Sequence, residues 1–107
     1  MKIIWTRYAL NDLQEIQSYL KQSESPAYAQ KIVRAILDEV KTLQERDTKG
    51  TFIPELEDLN LTTYRQLLAG QNRIIIERGQ DAFYVHLVAH TSRNLEALIR
   101  RRLMSPQ

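Results

Sequence analysis

With 107 residues, 43% hydrophobic and 26% charged, the chain has material for one hydrophobic core and lies outside the disordered and low-complexity classes. It has no cysteine, and His86 and His90 come with no further ligand pattern, so neither disulfide, metal nor cofactor is expected. The net charge of +2 is unevenly spread: residues 1–60 carry 8 Lys and Arg against 10 acids, residues 61–107 carry 7 Arg against 3 acids, and every cation after Lys49 is arginine. Arginine's planar fork suits phosphate and carboxylate, which points the C-terminal half toward an anionic partner.

Residues 2–5, a β-branched and aromatic run, predict an opening strand. Thr6 stands as an N-cap before Ala9, Leu13, Ile16 and Leu20, whose spacing predicts a helix over about 7–22. Ser25-Pro26 is a second helix start, and Ala29, Ile32, Ile36, Val40 and Leu43 extend the period over about 26–46. The short connection makes the two helices an antiparallel hairpin. Residues 47–60 follow neither period and read as a loop. Three β-type runs come next, 61–68, 73–78 and 82–89, separated by Ala69-Gly70-Gln71-Asn72 and Gly79-Gln80-Asp81, and predict an antiparallel meander. On this reading His86 alternates with Val85 and Leu87. Leu95, Leu98, Ile99 and Leu103 predict a C-terminal helix capped near Ser92 or Asn94. Residues 105–107 are expected to lie outside the fold.

The order is β-α-α-β-β-β-α, and the fold class expected is α+β in two layers, with the helical hairpin on one face of the sheet, all in a single domain over 1–107. No apolar run reaches the roughly 20 residues a membrane span needs and no signal segment opens the chain, so a cytoplasmic protein without a membrane partner is expected.

Several phrases, in this order, resemble the RelE/ParE superfamily of toxin–antitoxin toxins, which includes the plasmid stabilisation proteins. They are Trp5-Thr6 with Ala9, Asp12-Leu13 and Ile16; Gly50 with Ile53-Pro54-Glu55-Leu56; Tyr64-Arg65; Asn72-Arg73-Ile74-Ile75-Ile76; and Val88-Ala89-His90-Thr91-Ser92-Arg93. The resemblance implies a growth inhibitor that forms an oligomer with a small antitoxin. Two targets are open within that family: ParE-like members poison DNA gyrase, and RelE-like members act as ribosome-dependent mRNA endonucleases. Only the second would be an enzyme.

Cleavage of RNA through its own 2′-OH requires a base, an acid and cations around the phosphate. Glu55, Arg65, Arg73, His90 and Arg93 are the candidates, with Glu55 or His90 as base or acid and Arg65 and Arg73 as phosphate ligands. The same residues have a structural reading, in which Glu55 accepts from Arg65 to tie the loop to the sheet, and His90 and Arg93 satisfy backbone carbonyls. RelE-like nucleases depend on lysines near the second strand and on a terminal tyrosine or histidine, whereas this chain has no lysine after Lys49 and ends Met104-Ser105-Pro106-Gln107. The long second helix and the His-Thr-Ser-Arg phrase resemble the ParE side, so a gyrase poison is favoured over the ribosomal nuclease. Arg100, Arg101 and Arg102 are then candidates for target binding. The sheet and helical hairpin are expected to offer apolar grooves to the antitoxin. A binding module that keeps the fold without toxicity is a third reading.

Overall fold

Thr6 ends the opening strand and starts the first helix with one side chain. Its backbone N–H and its hydroxyl both donate to the Val85 carbonyl, at 3.1 and 3.0 Å, while Oγ1 accepts from Ala9 N at 3.2 Å. The computed structural model describes residues 1–59 and 63–103. Its elements are β1 (Lys2–Trp5), α1 (Arg7–Ser23), α2 (Pro26–Lys41), β2 (Tyr64–Ala69), β3 (Asn72–Arg78), β4 (Ala82–His90) and α3 (Leu95–Leu103). The order is the one expected. Ser25 caps α2 by accepting from Tyr28 N at 3.0 Å, and Asn94 caps α3 by accepting from Ala97 N at 3.2 Å.

The strands lie in the order β1-β4-β3-β2. The meander is antiparallel, and β1 joins its β4 edge in parallel, pairing Lys2 with Ala82 through Trp5 with Val85. One face of the sheet receives the α1–α2 hairpin in a core built on Ala9, Ile36, Val40, Leu67, Ile74, Ile76, Phe83 and Val85. The other face is also covered. Ile75, Leu87 and Ala89 pack there against Ile53, Leu56, Leu95, Leu98 and Ile99.

Boundaries shift for local reasons. The second helix stops at Lys41, where a 3-10 turn over Thr42–Gln44 takes over. Thr42 turns its hydroxyl back onto the Glu39 carbonyl at 2.6 Å, and Lys49 bridges Glu39 (2.7 Å) and Thr42 (3.0 Å), which holds the chain in its new direction. The predicted loop contains a 3-10 helix over Pro54–Leu59. The first meander strand starts at Tyr64; Leu61 and Thr62, expected at its head, lie outside the described residues, as do Ser105, Pro106 and Gln107. Gly50, at φ 107°, lies where a Cβ would come within 3.2 Å of Arg65 Cβ and 3.3 Å of the Gln66 carbonyl. Only glycine accepts both that dihedral and that approach. Thr51 then exchanges two 2.9 Å backbone bonds with Gln66 at the sheet edge.

The pairing of β3 with β4 slips between Ile75 and Ile76: Ile75 faces Leu87 and Ile76 faces Val85. His86 is the extra residue of this bulge. The expected alternation of His86 with Leu87 is therefore not what forms. Val85 joins the hairpin core, Leu87 joins the opposite cluster, and His86 reaches Glu77 on that same opposite face, Nε2 to Oε1 at 2.8 Å.

Because β1 ends at Trp5 while β4 continues to His90, the outer edge of β4 past Val85 has no neighbouring strand among the described residues. Two side chains stand in for one. Asp12 Oδ2 accepts from Val88 N at 2.9 Å, and Arg102 Nη1 donates to the His86 carbonyl at 3.1 Å. The two side chains also grip each other as a fork, with Nη1–Oδ2 at 2.7 Å and Nη2–Oδ1 at 2.6 Å. Asp12 is 9% exposed, and the Asp12 carboxylate raises the Arg102 guanidinium pKa above its already high value, against the opposing effect of burial. Arg102 lies 5.3 Å from the Tyr8 ring, one turn before Asp12 on α1. Asp12→Ala is expected to destabilise the fold by about 3 kcal/mol, because it strands a half-buried guanidinium and orphans the Val88 N–H. Chemical denaturation of the two proteins measures the difference.

Candidate functional site

The residues expected to form one catalytic group are divided by the sheet. The two-residue turn Gly70-Gln71 pairs Ala69 with Asn72, and from that register Arg73 stands opposite Leu68 and Arg65 opposite Ile76. Ile76 points into the hairpin core, so Arg65 is on the helical side and Arg73 on the other.

Arg73 donates to both Glu55 oxygens, at 2.7 and 2.8 Å, and through Nε to Gln66 Oε1 at 2.7 Å. Gln66 in turn donates to the Phe52 carbonyl at 3.1 Å. The tie between loop and sheet thus runs through Arg73, and the sequence reading that gave it to Arg65 is corrected by the strand parity. The Arg73 hydrogen bonds hold the Glu55 carboxyl pKa below its usual 4.5, although partial burial opposes them. Arg65 binds two backbone carbonyls, Lys49 at 3.0 Å and Asp47 at 3.4 Å, and so closes the loop that follows α2. The Arg73 guanidinium is committed through all three nitrogens, and Arg65 spends its Nη1 on these two carbonyls.

His90 lies at the end of β4, where both ring nitrogens are engaged. Nδ1 accepts from Ser92 N at 3.1 Å and faces Ser92 Oγ at 2.8 Å, which leaves Nε2 to donate to Gln71 Oε1 at 2.9 Å. These partners close the turn that leads from β4 into α3, rather than the backbone carbonyls expected. The Arg93 backbone N–H donates to the His90 carbonyl at 3.0 Å, and its side chain is exposed. The two histidines are four residues apart, yet the bulge sends His86 to the face of Glu77 and His90 to a groove beside the helical hairpin.

That groove, of about 780 Å³, runs between α1–α2 and the turn end of the sheet. It brings His90 and Arg93 together with Asn72 and Gln71 from the sheet and with Glu15, Tyr19, Glu24 and Tyr28 from the hairpin. Sequence reasoning assigned no role to Asn72, Tyr19 or Tyr28. Asn72 beside Gly70-Gln71 reads as a turn residue, and the tyrosines fall outside the apolar stripe of their helices.

The three consecutive arginines of α3 have different surroundings. Arg102 is held by Asp12, Arg100 makes an exposed 3.3 Å contact with Glu96, and Arg101 is exposed. Of the three target-binding candidates, Arg100 and Arg101 are therefore the exposed ones, with exposed Arg93 two residues before the helix.

Residues 3–95 match the family described as the ParE toxin of the type II toxin–antitoxin system parDE, and the chain belongs to that family. In fold it is similar to a solved chain from the chromosomal ParDE toxin–antitoxin system of P. aeruginosa, with a TM-score of 0.70 and 23% identity over 84% of this chain and 95% of that one. A search of curated proteins returned no match. Among the described residues no helix is long and apolar enough to cross a membrane.

The Glu55–Arg73 pair carries a pH dependence whose sign follows from the lowered carboxyl pKa. Its contribution to stability is complete above the ordinary carboxylate value of 4.5 and is lost as pH falls through the lower folded value. Glu55→Gln should therefore be less stable than the parent at neutral pH, with the gap closing as the solution is acidified below about 4.5. Parallel urea titrations across that range measure it.

Proposed function

We infer that this chain is a growth inhibitor that poisons DNA gyrase and is neutralised by a cognate antitoxin with which it forms a complex in the cytoplasm. The observation that carries the choice of target is the dispersal of the nuclease candidates. Glu55 is locked to Arg73 on one face, Arg65 is bound to loop carbonyls, and His90 has no free ring nitrogen. General acid–base cleavage needs a base and an acid converging on one phosphate, and these side chains converge on none. Membership of the ParE family supports the same choice, and the P. aeruginosa ParDE system supports an antitoxin as partner.

On this reading the target meets the exposed cations Arg93, Arg100 and Arg101, while Arg102 holds α3 in place. Purified chain added to gyrase and plasmid should trap cleaved DNA, released as linear plasmid when the enzyme is denatured. Arg100→Ala combined with Arg101→Ala should lower potency about tenfold, equivalent to about 1.4 kcal/mol shared between two exposed charges, with folding unchanged. Normal gyrase turnover at saturating chain would reject the assignment of target.

A further inference from the structure

The turn from β4 into α3 brings three polar side chains into one chain of hydrogen bonds. Ser92 Oγ lies 2.8 Å from His90 Nδ1, and on the far side of the ring Nε2 lies 2.9 Å from Gln71 Oε1. The Ser92 backbone N–H also donates to Nδ1, at 3.1 Å, so Nδ1 carries the lone pair and the ring proton stands on Nε2, where Gln71 Oε1 accepts it. The tautomer is thereby fixed with its basic nitrogen toward a hydroxyl. Two backbone bonds set the frame: Thr91 N donates to the Gln71 carbonyl at 2.8 Å, and Arg93 N to the His90 carbonyl at 3.0 Å. Those bonds close the turn without the Ser92 hydroxyl or the Gln71 carboxamide. All three side chains are exposed and line the groove of about 780 Å³ beside the hairpin, where Ile16, Leu20, Ile32 and Val88 supply an apolar wall and Arg93 an exposed cation.

We propose that Ser92, His90 and Gln71 form a nucleophilic relay that takes acyl groups from small esters, with Ser92 Oγ as nucleophile, His90 as its base and Gln71 as positioning residue. The engagement that denies Nδ1 to an RNA hydroxyl presents it to the protein's own hydroxyl. As Ser92 Oγ bonds to the ester carbonyl carbon, its proton passes to Nδ1 and the carbonyl π pair moves onto oxygen. Collapse expels the alcohol oxygen, which takes the proton back from Nδ1 and leaves acyl-Ser92. Water repeats both steps on acyl-Ser92 and releases the carboxylic acid. Gln71 is neutral, so it holds the ring's orientation but gives the imidazolium no countercharge, and turnover is accordingly slow. The apolar wall suits a short aliphatic acyl chain, and Arg93 suits a donor that also carries a carboxylate or phosphate. This activity is independent of the gyrase assignment.

The test mixes the intact chain with p-nitrophenyl butyrate, follows release of p-nitrophenolate and locates the butyryl group by mass spectrometry of the digested protein. A first phase equal to the chain concentration, with the group on Ser92, is expected, and Ser92→Ala should remove it. His90→Asn keeps an acceptor for the Ser92 N–H and should slow acylation about a hundredfold with the melting temperature unchanged. The parent rate should rise with pH along a single titration that is absent in His90→Asn. Gln71→Met should slow acylation about tenfold, and Gln71→Glu, which restores the acceptor and adds a countercharge, should return it to the parent rate or above. A role in closing the turn alone would move none of these rates. Butyryl groups spread over lysines and tyrosines at a rate that Ser92→Ala leaves unchanged would overturn the proposal. So would a butyryl group on His90 itself, undiminished Ser92 acylation in His90→Asn, or release no faster than in buffer.

Discussion

The open edge of β4 is the constraint around which this molecule is organised. β1 is only four residues long, so β4 runs on alone with backbone groups that must find partners. The Asp12–Arg102 fork fills the gap. Asp12 comes from the hairpin layer and Arg102 from the helix on the opposite face, and they meet around the edge, one taking the Val88 N–H and the other giving to the His86 carbonyl. One ion pair thereby joins α1, β4 and α3. A nine-residue helix is marginal on its own, so α3 owes its place to this fork and to the packing of Leu95, Leu98 and Ile99. The family match ends at residue 95, where α3 begins, while Asp12 lies inside it.

Burial of both sheet faces then decides what the polar side chains can do. Arg73 and Glu55 are enclosed between the sheet and the 3-10 segment, with side chains 15% and 25% exposed, and act as a tie. Tyr64, His86 and Glu77 gather further along the same face, where burial first and the Glu77 carboxylate second push the Tyr64 phenol pKa up. On the helical side His90 serves the turn into α3. What remains exposed and uncommitted is a groove with Asn72 in its wall and a small set of arginines around α3.

Much of the architecture was legible from local pattern. Thr6 and Ser25 were readable as caps, and Asn94 as one of two candidates with Ser92, because a short polar side chain before an apolar period suits a helix start, and both hairpin helices followed from spacing alone. The covered second face had a signal in Ile74-Ile75-Ile76, since three consecutive apolar residues in a strand require apolar surroundings on both sides. Likewise, Gly70-Gln71 as a two-residue turn places Arg65 and Arg73 on opposite faces, so their separation was derivable once the turn was taken as the register. Other features had no local trace. The bulge at His86 is hidden by apolar neighbours on both sides, and the Asp12–Arg102 fork joins residues 90 positions apart. Grouping Arg102 with Arg100 and Arg101 as candidates for target binding missed this for the same reason: charge pattern cannot show which cation has a distant carboxylate waiting.

The most direct test of the account is to express the chain alone in a bacterium and, within minutes of induction, to follow protein synthesis and chromosome integrity in the same cells. A gyrase poison predicts broken DNA and filamentous cells while early translation continues. Rapid translation arrest with cut mRNA and an intact chromosome would contradict it and would require Arg65 and His90 to move toward the Glu55–Arg73 pair, from which this fold keeps them apart.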